Sequence, residues 1–483
     1  VRSRLLSLLF AAACTSACAP PAVTVPERAT APRLSAAQEA QIGAQADIQM
    51  RREAGVLADE VLQRDVQETE KLLAPSFGRP SPAWHTTVLD VGAPNAFALP
   101  GGYVYLTRGL LPYLSSRGEL AAVLAHEMAH VVMGDATGDY LAGSEPLPAD
   151  LGVFRTVARL FSTRIAPAVP RALFASHDPT RERTANLRAA QALAAAGFDP
   201  GPMNTVLEAL DRLDLITDER GVPTWGMTHG RGVRLDMSLL PGSSGPVPRA
   251  PALPRPARDD FVDHLRGLLY GDDPRLGLVR VNEFVAPDLK VAITIPDQWD
   301  VSSDRTRMIA ANLDQDAFIV LQLVPGLRGR QVENTAASLA ARGGLRPPVG
   351  SRITIDALPA FVGATTGTVE GLGDVRVRIA CLQTPHGEFV VSGIAASARY
   401  PDAESQFAAA IRSVRTMADA EAGGILPDRI DLETAKPGDT WDSVARRHGG
   451  VVMGNLLAIL NHAAADRPVP AGTRIKVVVA REK

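Results

Sequence analysis

The chain has 483 residues, about three times a typical domain, so two or three separately packed units are expected. Hydrophobic residues make up 46 % and charged residues 21 %, enough apolar surface for packed cores, which excludes wholesale disorder. Fifty Lys and Arg stand against 53 Asp and Glu, a formal charge of −3, and no basic stripe is present, which excludes nucleic acid as the expected partner.

At the amino terminus, Arg2 and Arg4 precede a short apolar run, Leu5 to Ala13, and then small residues with Cys14 and Cys18. This reads as a secretory signal peptide over residues 1–18, with Val1 translated from an alternative start codon. The run is too short to span a bilayer, and no later stretch offers roughly 18 uninterrupted apolar residues. Small residues before a cysteine resemble a bacterial lipobox, which implies lipidation of Cys18, with Cys14 as the competing anchor and plain cleavage without a lipid as the other outcome. Residues 19–33 are a Pro/Ala/Thr-rich tether. The expected location is the periplasm, anchored by lipid to the bacterial outer membrane, or secretion if no lipid is attached. Cys381 then has no obvious partner, and a disulfide framework is not expected.

Residues 34–240 are rich in helical patterns. Tyr103 to Thr107 reads as a strand close before the segment that carries chemistry, His126-Glu127-Met128-Ala129-His130. Ser116 and Glu119 have capping-box form, Leu120 to Val132 favours helix, and Gly134 suits a C-cap, so the H-E-x-x-H motif sits inside a helix. Residues four apart share a helix face, so both imidazoles can meet one zinc ion while Glu127 reaches a water there. A buried position is expected, because Leu120, Val123, Leu124, Val131 and Val132 make the helix largely apolar. A catalytic zinc normally takes three protein ligands. The best third candidate is Glu182, one turn into a helix over Thr180 to Ala196 with Asp178 as N-cap, Pro179 in the first turn and Gly197 at its end. Glu182, Asn186, Ala189 and Leu193 share a face; the competing reading is a solvated Glu between Arg181 and Arg183. Leu151 to Ile165 reads as a further helix that covers the cleft or packs in the core.

Asn95-Ala-Phe-Ala-Leu-Pro-Gly-Gly102, Tyr103-Val-Tyr-Leu-Thr107, the HEMAH motif, Glu182-Arg-Thr-Ala-Asn186 and Gly197-Phe-Asp-Pro200, in this order, resemble the M48 family of zinc metallopeptidases. The resemblance implies a mainly α zincin-type domain with a small sheet, Zn2+ held by His126, His130 and Glu182, and Glu127 as general base. Three positions depart from the family pattern. Asn186 replaces an aspartate that hydrogen-bonds a ligand histidine; its amide oxygen can still accept, without charge. Gly134-Asp135 replaces an Arg-His pair. Trp225-Gly-Met-Thr-His229 lacks the proline of a Thr-His-Pro loop and has Arg231 and Arg234 nearby; His229 could stabilise an oxyanion, cap the zinc at rest, or be a plain loop residue. The run from Gly101 to Thr107 could align an extended peptide along a strand edge.

Six prolines make residues 241–260 a linker. From 261 to 420 the pattern is an α+β accessory domain. Val291 to Ile295, Ala317 to Val324 and Val375 to Leu382 read as strands, and Pro385 to Glu388 as a hairpin turn before Phe389 to Ile394. Val332 to Ala341 and Ala403 to Met417 read as helices; the Pro-Asp-Gln-Trp299 turn after a strand, the inner helix and the closing helix with Ser413-Val-Arg415 resemble the α+β accessory domains of the PsbP/Mog1 type. His264 and His386 are isolated and read as structural. In residues 429–483, Lys436-Pro-Gly-Asp-Thr-Trp441, Leu456-Leu-Ala-Ile-Leu-Asn461 and Pro470 to Lys476 resemble a LysM module. That resemblance implies a small βααβ fold and contact with peptidoglycan; a packing module without glycan affinity is the other reading.

The expected function is a multidomain, zinc-dependent endopeptidase acting on envelope or misfolded proteins or peptides. A glycan-binding or chaperone-like lipoprotein with a weakened or inactive protease domain is the alternative, and a peptidase of peptidoglycan stem peptides is a third.

Overall fold

The computed structural model describes residues 34–78, 84–142, 178–216, 229, 232–240, 260–271, 273–274, 277–280, 282–304, 307–314, 316–324, 331–369, 372–384 and 387–480. The signal and tether, the helix expected at Leu151 to Ile165, residues 241–259 of the linker and the turn residues 385–386 lie outside these.

The first two helices, Ala36–Glu53 and Glu60–Leu73, begin as their sequences dictate. Ser35 and Gln38 close a capping box, and the Asp59 carboxylate accepts from the N–H groups of Val61 and Leu62. Three short strands follow, β1 (His85–Leu89), β2 (Ala96–Leu99) and β3 (Tyr103–Thr107), in the order β1-β3-β2. β3 runs parallel to β1 and antiparallel to β2, so the strand expected to offer an edge is the central one. Its edges are consumed because Pro100-Gly101-Gly102 folds β2 back onto it; both glycines have positive φ, 82° and 95°, which other residues rarely adopt. The outer edge of β1 is bridged by Val56, which leaves β2 as the open edge on the motif-helix side among the described residues.

The motif helix runs Arg117–Met133. Ser116 Oγ accepts from the Glu119 N–H, as expected, but the Glu119 carboxylate takes the N–H of Ser115 at 2.6 Å. Every residue from Glu119 to Val131 is buried, as a helix apolar on all sides requires. It packs on the helices Glu60–Leu73, Pro179–Ala195 and Pro202–Ile216.

A short helix, Phe261–His264, places His264 Nδ1 2.6 Å from Asp65 Oδ2, a structural role. Beyond it lies a predominantly β region. Strands β4 (Leu278–Arg280), β5 (Glu283–Ala286), β6 (Val291–Thr294) and β14 (Arg415–Thr416) form one sheet in the order β14-β6-β5-β4. The other sheet holds β7 (Asp300–Asp304), β8 (Arg307–Ala311), β9 (Ala317–Val324), β10 (Val349–Ile355), β11 (Leu358–Val369), β12 (Gly373–Thr384) and β13 (Gly387–Ala396), in the order β10-β11-β12-β13-β9-β8-β7. The β12–β13 hairpin is present as expected, Thr384 facing Gly387. Side chains alternate across β12: Ala380 and Leu382 join the core with Phe407 of helix Tyr400–Arg412, while Ile379 and Cys381 pack with helix Val332–Arg342 on the other face. Cys381 is buried and free.

The last segment has the expected βααβ order: β15 (Arg429–Thr434), helices Trp441–Arg447 and Gly454–Leu460, and β16 (Arg474–Val479), with the two strands antiparallel. Its Ile430, Trp441, Val444, Leu457, Ile475 and Val477 join the same apolar core as Leu62, Leu120, Leu124 and Leu210. The chain leaves for the β region and returns from it side by side: Gly267 N donates to Ile430 O, Ile430 N to Leu268 O, and Tyr270 N to Asp428 O. No helix among the described residues is long and apolar enough to cross a membrane.

Candidate metal centre

The motif helix sets His126, Glu127 and His130 at a depth where each is 1–2 % exposed. The helix ends at Gly134, whose φ of 79° reverses the chain and starts the next helix at Asp135. The helix Pro179–Ala195, capped by the Asp178 carboxylate on the Thr180 N–H, lies against it and presents Glu182 and Asn186, one turn apart.

These elements bring the expected ligand atoms together. His126 Nε2 and His130 Nε2 are 3.1 Å apart, and the Glu182 carboxylate oxygens lie 3.3 Å from the first and 3.4 Å from the second. Zinc bonds of about 2.0–2.1 Å in a tetrahedron put neighbouring ligand atoms about 3.3–3.4 Å apart, close to these distances, although each imidazole meets a different oxygen of Glu182. The far side of each ring explains its orientation. His126 Nδ1 is 2.9 Å from Asn186 Oδ1, and His130 Nδ1 is 3.0 Å from Asp135 Oδ2. Both acceptors favour the Nδ1–H tautomer, which turns two Nε2 lone pairs and a carboxylate toward the same point.

Asp135 is the residue of this cluster that sequence reasoning did not bring to it. It was visible only as a departure from a family pattern, yet it orients His130 and also accepts from Arg181 Nε and Nη2, each at 2.9 Å. Arg181 precedes Glu182, so Asp135, in contact with both His130 and Arg181, links the motif helix to the helix Pro179–Ala195.

Charge points the same way. Burial pushes the His126 imidazole below its ordinary value, against the Glu182 carboxylate. Burial raises Glu127, but the imidazoles of His229, His126 and His130 outweigh it and hold its carboxyl low. Burial lowers His130, and Asp135 and Glu182 more than reverse this, to about 10. The raised value expresses a demand for positive charge from buried carboxylates, which a divalent cation at the common vertex would meet.

His229 is 3 % exposed and joins the group: its Nε2 is 3.1 Å from Glu127 Oε1, and ligand atoms of His126, His130 and His229 lie within 4.8 Å of one another. Its neighbours 217–228 and 230–231 lie outside the described residues, as does Cys18.

Residues 60–234 match the profile of Peptidase family M48. The beta-barrel assembly-enhancing protease of Escherichia coli is 29 % identical over 230 residues, 44 % of this chain and 46 % of its own length. The mitochondrial metalloendopeptidase OMA1 of Schizosaccharomyces pombe is 51 % identical over 49 residues, 10 % of this chain and 14 % of its own. The chain thus spans about half the length, or less, of the curated relatives it matches. Among solved structures, the cyanobacterial PsbP of Synechocystis covers 30 % of this chain and 98 % of its own at 9 % identity, with a TM-score of 0.24, which assigns no fold. What this chain shares with Peptidase family M48 is thus a match over residues 60–234, about a third of its length.

Proposed function

We propose that this protein is a zinc-dependent endopeptidase of the bacterial envelope that cleaves exposed or misassembled proteins. The observation that carries the reading is the convergence of His126, His130 and Glu182 within 3.4 Å of one another, with Glu127 beside them, inside the stretch that matches Peptidase family M48. His126, His130 and Glu182 would hold the ion, which when bound polarises the scissile carbonyl and acidifies the attacking water. Glu127, buried beside the two imidazoles, takes the water proton and delivers it to the leaving amine. His229, in contact with Glu127, would donate to the developing oxyanion or cap the centre at rest. An extended peptide adds to the open edge of β2, against which the motif helix packs.

The Asn186 departure leaves the contact to His126 in place, and Asp135 supplies a charged partner to His130; both support activity over a decayed domain. Lipid attachment at Cys18 and peptidoglycan contact through residues 429–483 rest on motif resemblance; mass spectrometry of the mature protein and pelleting with sacculi test them. The function is tested by metal analysis and casein cleavage. Wild type should bind one zinc per chain and cleave, and Glu127→Gln should keep the metal and lose activity by about 10²–10⁴-fold. Equal cleavage by that variant removes Glu127 from the mechanism.

A further inference from the structure

We propose that residues 429–480 complete the peptidase domain, and that His462 and Lys476 are positioning residues that hold the entry to the motif helix. The completion stands on the fold alone; the effect on catalysis rests on the peptidase reading above.

Lys476 is on β16, only 2 % exposed. Its Nζ donates to Pro112 O at 2.7 Å, Leu114 O at 2.9 Å and Ser115 Oγ at 3.0 Å. These residues form the turn that delivers the chain to Ser116, the N-cap of the motif helix. A buried ammonium is costly unless its protons are taken, so this turn and β16 hold each other in place. Burial pulls the ammonium down to about 7, with the Glu119 carboxylate opposing.

His462 acts on the same turn. Its Nε2 is 2.8 Å from Tyr113 O, and its Nδ1 is 3.2 Å from Glu119 Oε1; the other oxygen of Glu119 accepts from Ser115 N. Asn461 ties the two residues into one unit, its Nδ2 donating to Lys476 O and its Oδ1 accepting from Lys476 N. Arg212, on helix Pro202–Ile216, donates to Ala463 O at 2.7 Å. An appended module would keep these groups solvated; here they are spent on the peptidase domain, over a shared apolar core. His126 follows on the same continuous helix, about two and a half turns beyond its start, so a shift of the first turn moves the ligand pair.

Two experiments on the full chain decide this. First, a specific cleavage sequence is inserted between Gly423 and Gly424, both exposed, and the folded protein is cut. The fragment carrying 429–480 should co-elute with the remainder on size exclusion and separate only in denaturant; release under native conditions overturns the completion. Second, hydrogen exchange and peptide hydrolysis are measured below pH 7, where the ammonium is charged, for wild type, Lys476→Met, His462→Leu and His462→Gln, all zinc-saturated. Lys476→Met and His462→Leu should speed exchange about tenfold in residues 110–122 and lower kcat about tenfold with KM within twofold; His462→Gln, which keeps a donor for Tyr113 O, should restore both. Exchange unchanged in that segment, or loss of KM alone, overturns the positioning role. If wild type hydrolyses nothing, the peptidase reading fails, and the exchange and elution results still decide the inference.

Discussion

Asp135 offers the sharpest test of how the centre is built. Asp135→Asn keeps an oxygen that can accept from His130 Nδ1, now at 3.0 Å from Oδ2, but removes the charge and with it the ion pair to Arg181 at 2.9 Å. Two effects add. The His130 imidazole becomes a poorer donor to a cation, and the strap between the motif helix and the helix bearing Glu182 loosens. Groups that orient a metal-ligating histidine typically affect metal affinity by 10–100-fold, about 1.4–2.8 kcal/mol at 1.4 kcal/mol per decade. Arg181, with its side chain 25 % exposed, can be solvated in the variant, so the fold should persist. The mirror substitution, Asn186→Asp, gives His126 the charged acceptor it lacks and should tighten zinc by up to about tenfold. Zinc dissociation constants from competition with a chelator, with circular dichroism as the folding control, measure both. If Asp135→Asn binds zinc within twofold of wild type, the account of His130 orientation is wrong. If Asn186→Asp weakens binding, the contact at 2.9 Å is not the orienting one.

Arg108 is 1 % exposed, pairs with Asp90 at 2.7 Å and donates to the carbonyls of Leu269 and Gly271. Arg108→Leu removes the guanidinium from a buried carboxylate and two carbonyls and should cost about 3–5 kcal/mol in urea unfolding; a loss below about 1 kcal/mol contradicts this reading of the contacts. Asp439 is held down to about 2, chiefly by the Arg447 guanidinium and then by the Lys436 N–H. Its folded value lies below its ordinary 3.8, so the stability it contributes is complete above that value and is lost as pH falls toward 2. The fall in melting temperature across that window should be shallower in Asp439→Asn, and an unchanged slope refutes it.

Much of the centre was legible because its chemistry is written in helical spacing. His126 and His130 four apart, Glu127 between them, Ser116 and Gly134 at the ends, and Glu182 one turn into a capped helix all follow from local rules, and the structure assembles them at ligand distance. Asp135 was not legible as a partner. Its position beyond a left-handed glycine depends on how the chain reverses, and no periodicity encodes that reversal. The edge role expected of β3 failed for a related reason: alternation marks a strand but not which neighbours take its hydrogen bonds.

The sequence by itself determined most of the local elements around the motif, because caps, glycines and apolar periodicity act over a few residues, though the helix expected at Ala403 to Met417 ends at Arg412 and Arg415–Thr416 pair as a strand. Only the tertiary structure decided that Lys476 closes on Pro112, Leu114 and Ser115, 361 to 364 positions away. An apolar face specifies that it must be covered, not by what. The choice among partners falls to shape and to the placement of buried hydrogen-bond groups, which exist only once the chain has come together.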